Sequence, residues 1–200
     1  SESVNAGVPE MWRDRLLELF DNENYDFKDG QEHCFRVYHM TLALGCNMLL
    51  DEEVVFAAAM MHDFKPFLSD RGDGSNRIEA AVEAVIAFLV EEGFPILKTD
   101  ALREILLGNT SACHEAALLH DANLLDGIGA IGLARELSAM KRSPNGLDDA
   151  LAMLEKRLLD GTDVFLTTQA RKNAKERLEE LELFLQYLAE ERAVGMERVE

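Results

Sequence analysis

Val54-Val55-Phe56-Ala57-Ala58-Ala59-Met60-Met61-His62-Asp63 is the stretch that decides the fold. The unbroken apolar run follows Asp51-Glu52-Glu53. It predicts a helix over Glu52–Met61, capped by Asp51 and deeply buried. Such a helix, ending in His62-Asp63, delivers two polar groups to the edge of a core. Buried polar groups need partners, and a buried charge needs pairing or a metal. Neighbouring side chains diverge by about 100° on a helix, so both reach one point only if the last turn loosens. Pro66 favours that loosening, because the residue before a proline avoids the helical region.

Upstream, a helix is expected over Gln31–Met48. His33, Val37, Thr41, Leu44 and Met48 share one face at helical spacing. His33 therefore points inward, His39 faces elsewhere, and Arg36 lies close to the His33 face. Taken alone, an inward histidine is more often a satisfied core residue. Downstream, the segment His120 to Asp126 reads HDANLLD and offers oxygen donors at Asp121, Asn123 and Asp126. Asp121 is also a natural helix cap. Gly127, Gly129 and Gly132 follow, and each glycine inside a helix costs about 1 kcal/mol relative to alanine. Three of them predict close packing against another helix or a backbone near the site. Two imidazoles and two or three carboxylates from three helices make a cage for one divalent cation, which points to hydrolysis of a phosphate compound.

The remaining pattern is helical almost throughout, with rare proline and no strand-like alternation. Further helices are predicted near Pro9–Phe20, Arg77–Glu91, Thr99–Leu107, a short one from Glu115, Asn123–Met140, Leu147–Leu158 and Thr167–Arg192. Gly93-Phe94-Pro95 should end one of them. The loop Ser69 to Asn76, SDRGDGSN, has acids at Asp70 and Asp73, which miss the alternate spacing of a calcium loop. The last helix carries Ala174, Leu178, Leu181, Leu185 and Leu188 as one seam. That seam suits packing on its own domain, or a homodimer interface.

With 200 residues, 48% of them apolar, the chain suits one globular domain. Its formal net charge of −18 argues against nucleic acid and anionic membranes as partners. No apolar run approaches the roughly 20 residues of a membrane span. The first residues lack a signal-peptide pattern, and Cys34, Cys46 and Cys113 form no CxxC. A cytoplasmic location with free thiols is the expectation. Cys34 beside His33 suits a small buried residue better than a soft ligand.

Together, the isolated His33, the run ending His62-Asp63 and the stretch EAALLHDANLLDGIGAIGLAR resemble the HD superfamily of metal-dependent phosphohydrolases, in particular its small stand-alone bacterial members. HCFRV at His33, EEGF before Pro95 and the tail KERLEELELFLQYLAEE extend the resemblance over about Glu32 to Glu191. It implies an all-α single-domain helical bundle over 1–200, with its core about 29–140 and C-terminal helices 147–192 packed on it. It implies one divalent metal ion (Mn, Mg, Fe, Co or Zn) held by His33, His62, Asp63 and a fourth ligand. Relatives often read Asp-Ala-Asp where this chain has Asp121-Ala122-Asn123. Asp121 is the expected fourth ligand, because a hard cation prefers a carboxylate, with Asn123 the alternative. Relatives also often carry His-Ser before the Glu-Ala segment, where this chain has Gly108-Asn109 and then His114.

The expected activity is hydrolysis of a phosphoester or phosphoanhydride, with nucleotides as the expected substrates. Asp63 or Asp126 would accept the proton from the attacking water, and Arg36 and Lys65 would offset phosphate charge. Two other readings stay open. One is a degenerate module that binds a nucleotide or a protein without turnover. The other is a di-iron oxygenase, which would need further histidines where the chain offers only His114 and His120.

Overall fold

A computed structural model of the chain describes residues 11–21, 30–63, 76–140 and 144–196. Among the described residues every regular element is helical, so the expected all-α class holds. They are α1 (Met11–Phe20), α2 (Gly30–Leu44), α3 (Glu52–Met61), α4 (Asn76–Glu91), α5 (Thr99–Leu106), α6 (His114–Leu125), α7 (Gly129–Ala139), α8 (Leu147–Asp160) and α9 (Thr168–Met196). A 3₁₀ turn, Ile96–Lys98, precedes α5. The chain forms two compact units, 1–119 and 120–200, and α6 runs across that division. None of these helices is long and apolar enough to cross a membrane.

In the first unit α3 is the central element. Every residue from Val54 to Met61 is buried, and α3 packs against α1, α2 and α5. Asp51 caps it by accepting from the Val54 amide at 3.3 Å. Aromatic rings close one side: Trp12 meets Phe56 and Phe94 edge-on, and Tyr38 meets Phe56 likewise. The Arg13 guanidinium lies over the Phe56 ring and forks onto the Glu52 carboxylate at 2.8 and 2.5 Å, while the Tyr38 hydroxyl donates to Glu52. These donors, Arg13 first, hold the Glu52 carboxyl below its ordinary value of 4.5 against the opposing effect of burial. Helix α4 ends as expected: Gly93 takes φ +100°, Phe94 donates to the Leu89 carbonyl and Gly93 to that of Val90, a Schellman closure.

In the second unit α9 packs on α7 and α8. The first half of its seam is buried, through Ala174, Leu178 and Leu181, whereas Leu185 and Leu188 are partly exposed. The single helix expected over Asn123–Met140 is instead two, broken at Asp126–Ile128. Gly129 takes φ +69°, and Gly132 lies so close to Gly127 that an added Cβ would stand 2.2 Å from its carbonyl carbon. The glycines serve this tight elbow. Three arginines then satisfy three successive carbonyls at the end of α6. Arg177 donates to Leu125 (2.7 Å), Arg135 to Asp126 (2.8 Å) and Arg157 to Gly127 (2.7 Å).

Helix α2 also stops earlier than expected, at Leu44 rather than Met48. Gly45 packs under Leu50 and Leu118, with no room for a side chain, and the backbone turns there. Lys65, Pro66 and Asp70 and Asp73 of the glycine-rich loop lie outside the described residues.

Candidate metal and phosphate site

The helical phase read from sequence brings two imidazoles together. His33, Val37, Thr41 and Leu44 are buried on α2, while Met48, beyond the helix, is exposed. His62 is the C-terminal cap residue of α3. The Nε2 atoms of His33 and His62 approach to 3.1 Å. His62 Nδ1 lies 2.6 Å from the Ala59 carbonyl oxygen and donates its proton there. That bond fixes the tautomer and leaves the lone pair of a neutral His62 on Nε2, facing His33. Asp63 follows in the turn, half-buried.

This pair fits a cation. Two nitrogens bound cis to one metal, each about 2.1 Å from it, stand roughly 3.0–3.4 Å apart. The 3.1 Å separation falls in that interval. Among the described residues, however, no group of three or more His, Cys, Asp or Glu side chains is assembled closely enough to hold a metal ion. Arg36 sits one turn after His33, half-buried, with the Glu32 carboxylate at 3.9 Å.

The expected ligands and bases of the second unit have other engagements. Asp121 is not a helix start. It lies within α6, fully buried, and both carboxylate oxygens are used. Oδ1 accepts from the Leu166 amide at 2.9 Å and lies 3.1 Å from His120 Nδ1. Oδ2 accepts from the Thr167 amide (2.8 Å) and the Thr167 hydroxyl (2.7 Å). The Thr167 oxygen in turn accepts from the Ala170 amide, capping α9. Asp121 therefore anchors the start of α9. Asp126 is buried and paired with Arg135 at 3.0 Å. Asn123, two residues beyond Asp121, is exposed. Sequence reading missed the Thr167 anchor. A threonine opening a long predicted helix was the available signal, but it named no partner.

The chain matches no protein-family model and no curated protein. Solved structures do resemble it. Bacillus subtilis YpgQ in complex with ADP shares 25% identity over 90% of this chain and 94% of that chain, with a TM-score of 0.71. Another crystal structure of YpgQ gives 26% identity and a TM-score of 0.69, over 90% and 95% of the two chains. The Lin1889 protein from Listeria innocua gives 21% and 0.65, over 91% and 98%, a likeness of fold alone.

Proposed function

We propose that this chain is an HD-type, metal-dependent phosphohydrolase acting on nucleotides. The observation that carries the reading is the convergence of His33 Nε2 and His62 Nε2 at 3.1 Å, next to Asp63. The similar YpgQ holding ADP supports a nucleotide as ligand. His33, His62 and Asp63 would hold one divalent cation; its binding would require His33 to carry its proton on Nδ1. When bound, a divalent cation lowers the pKa of a water and polarises a phosphoryl oxygen. Around it, Ala59 fixes the His62 ring through the Nδ1 proton. Asp63 would hold the proton released by the attacking water, and Arg36 and Lys65 would bind phosphate oxygens. Those cations matter, because a chain with net charge −18 repels an anionic substrate. Asp126 enters only by leaving Arg135.

A second reading, nucleotide binding without turnover, has its own observation. Asp121 has both oxygens doubly engaged, so the accessible oxygen of this stretch belongs to the Asn123 amide, a neutral donor. The test is metal analysis of the purified protein, joined to phosphate release from nucleotides with Mn²⁺, beside His62→Ala. About one metal per chain and turnover, both lost in a folded His62→Ala, is the expected result. Nucleotide binding with no turnover under any divalent metal selects the second reading. Hydrolysis that survives in His62→Ala refutes the first.

A further inference from the structure

The first unit carries an apolar and acidic surface that neither histidine explains. Leu49 and Leu97 are both 98% exposed, and Ile96 is 70% exposed. They stand in two neighbouring loops tied by Lys98, whose ammonium reaches Asp51 at 2.9 Å and Glu53 at 3.1 Å. Beside Leu49 lies an open depression of about 480 Å³ that also takes in Asp51, Glu53, Glu115 and, from the second loop, Lys98, the residue after Leu97.

Neither leucine is exposed by slack in its loop. Leu50, beside Leu49, is tucked against Gly45, and Met48 donates its amide to the Gly45 carbonyl. The Asp51 amide donates to Glu115 at 2.8 Å. On the other loop, Lys98 donates its amide to Pro95, and the Thr99 hydroxyl to the Ile96 carbonyl at 2.7 Å. Both prongs are thus held outward by fixed backbone. An apolar prong presented rigidly to water costs solvation free energy but loses little entropy on meeting a partner.

Charge selects the partner. Asp51, Glu52, Glu53 and Glu115 line the depression; Arg13 pairs with Glu52 and Lys98 with Asp51 and Glu53, so the lining stays acidic by two charges. The Lys98 ammonium is already shared between two of the carboxylates, whose hydrogen bonds outweigh burial and hold it above its ordinary pKa. Anionic lipid and nucleic acid are repelled by such a lining. We infer that this surface docks a basic, amphipathic segment of a partner protein. Its apolar side chains would cover Leu49 and Leu97, and its Lys or Arg side chains would meet Glu53 and Glu115.

The test uses the full chain and a synthetic amphipathic helix of about 18 residues built from Lys and Leu. An equally charged peptide with Ser in place of Leu is the control, and calorimetry is run at roughly 150 mM salt. The expected result is binding of the Leu peptide at least about tenfold tighter than the control, with that advantage removed by combined Leu49→Ser and Leu97→Ser. Amide shift changes should gather at residues 48–53 and 96–98. Equal binding of the two peptides, no binding, binding that survives the double variant, or shifts elsewhere would overturn the inference. So would self-association, or attachment to phosphatidylserine vesicles, that the double variant abolishes, because a second copy or a lipid would then be the occupant.

Discussion

Replacing Asp121 by asparagine separates anchoring from metal binding. The substitution keeps volume and removes charge. Asn retains one oxygen, so its amino group must face either the Leu166 amide or the Thr167 amide, a donor against a donor. Each hydrogen bond to a charged acceptor contributes about 1.5–3 kcal/mol net. One backbone amide loses its acceptor in either orientation, and the remaining contacts, to the His120 ring or the Thr167 hydroxyl, must reverse direction and lose the carboxylate charge. Leu166 is exposed and Thr167 only half-buried, so water recovers part of the loss. A cost of about 3 kcal/mol results, a large share of the roughly 5–15 kcal/mol of a typical domain. Thr167→Val, which removes both the hydroxyl's bond to Asp121 and its cap on α9, should cost about 2–3 kcal/mol. The assay is urea unfolding followed by circular dichroism, in chelator, so that no metal contributes. A metal-free Asp121→Asn as stable as the parent, with Mn²⁺ affinity down about a hundredfold, would refute the anchoring argument and return Asp121 to the cation.

Asn123→Asp adds a carboxylate at an exposed position of α6 and should raise Mn²⁺ affinity about tenfold or more by calorimetry; unchanged affinity would remove Asn123 from the cation. Glu52→Gln tests the Arg13 fork by its pH dependence. Because the folded carboxyl sits below its ordinary value of 4.5, its stabilisation is complete above that pH and lost as pH falls through the folded value. Glu52 is 41% exposed, so the parent should exceed the variant by only about 1 kcal/mol at pH 7 in urea unfolding, and the gap should close in acid. Gly132→Ala forces a methyl to 2.2 Å from the Gly127 carbonyl carbon and should cost at least about 3 kcal/mol; a neutral result would show that the elbow opens freely.

What the sequence made legible is what local pattern encodes. The burial of Val54–Met61, the cap at Asp51 and the Gly93 stop depend on residues a few positions apart. His33 was legible through its phase on α2, whereas its meeting with His62 was expected from the family resemblance and not from either helix alone. The α6–α7 elbow was not. Gly127, Gly129 and Gly132 within a helical pattern read equally well as small residues under a crossing helix. Only the positive φ of Gly129 and the contact of Gly132 with Gly127 show a break.

The same limit hid the partners of Asp121. Its hydrogen-bond partners are 45 and 46 residues away, and the arginines that close α6 come from 9, 30 and 52 residues beyond their carbonyls. No periodicity connects such positions. A carboxylate in a ligand-rich stretch invites a catalytic reading, but burial supplies a competing demand. A desolvated carboxylate must fill its oxygens with donors, and once two amides and a hydroxyl have done so, a cation must displace them to bind. Exposed Asn123 bears no such cost, and yet it offers no charge. The segment His120 to Asp126 therefore divides the two requirements of a good ligand, charge and access, between two residues two positions apart. The Asp121→Asn and Asn123→Asp pair separates those two requirements, since the first variant is expected to move stability and the second affinity.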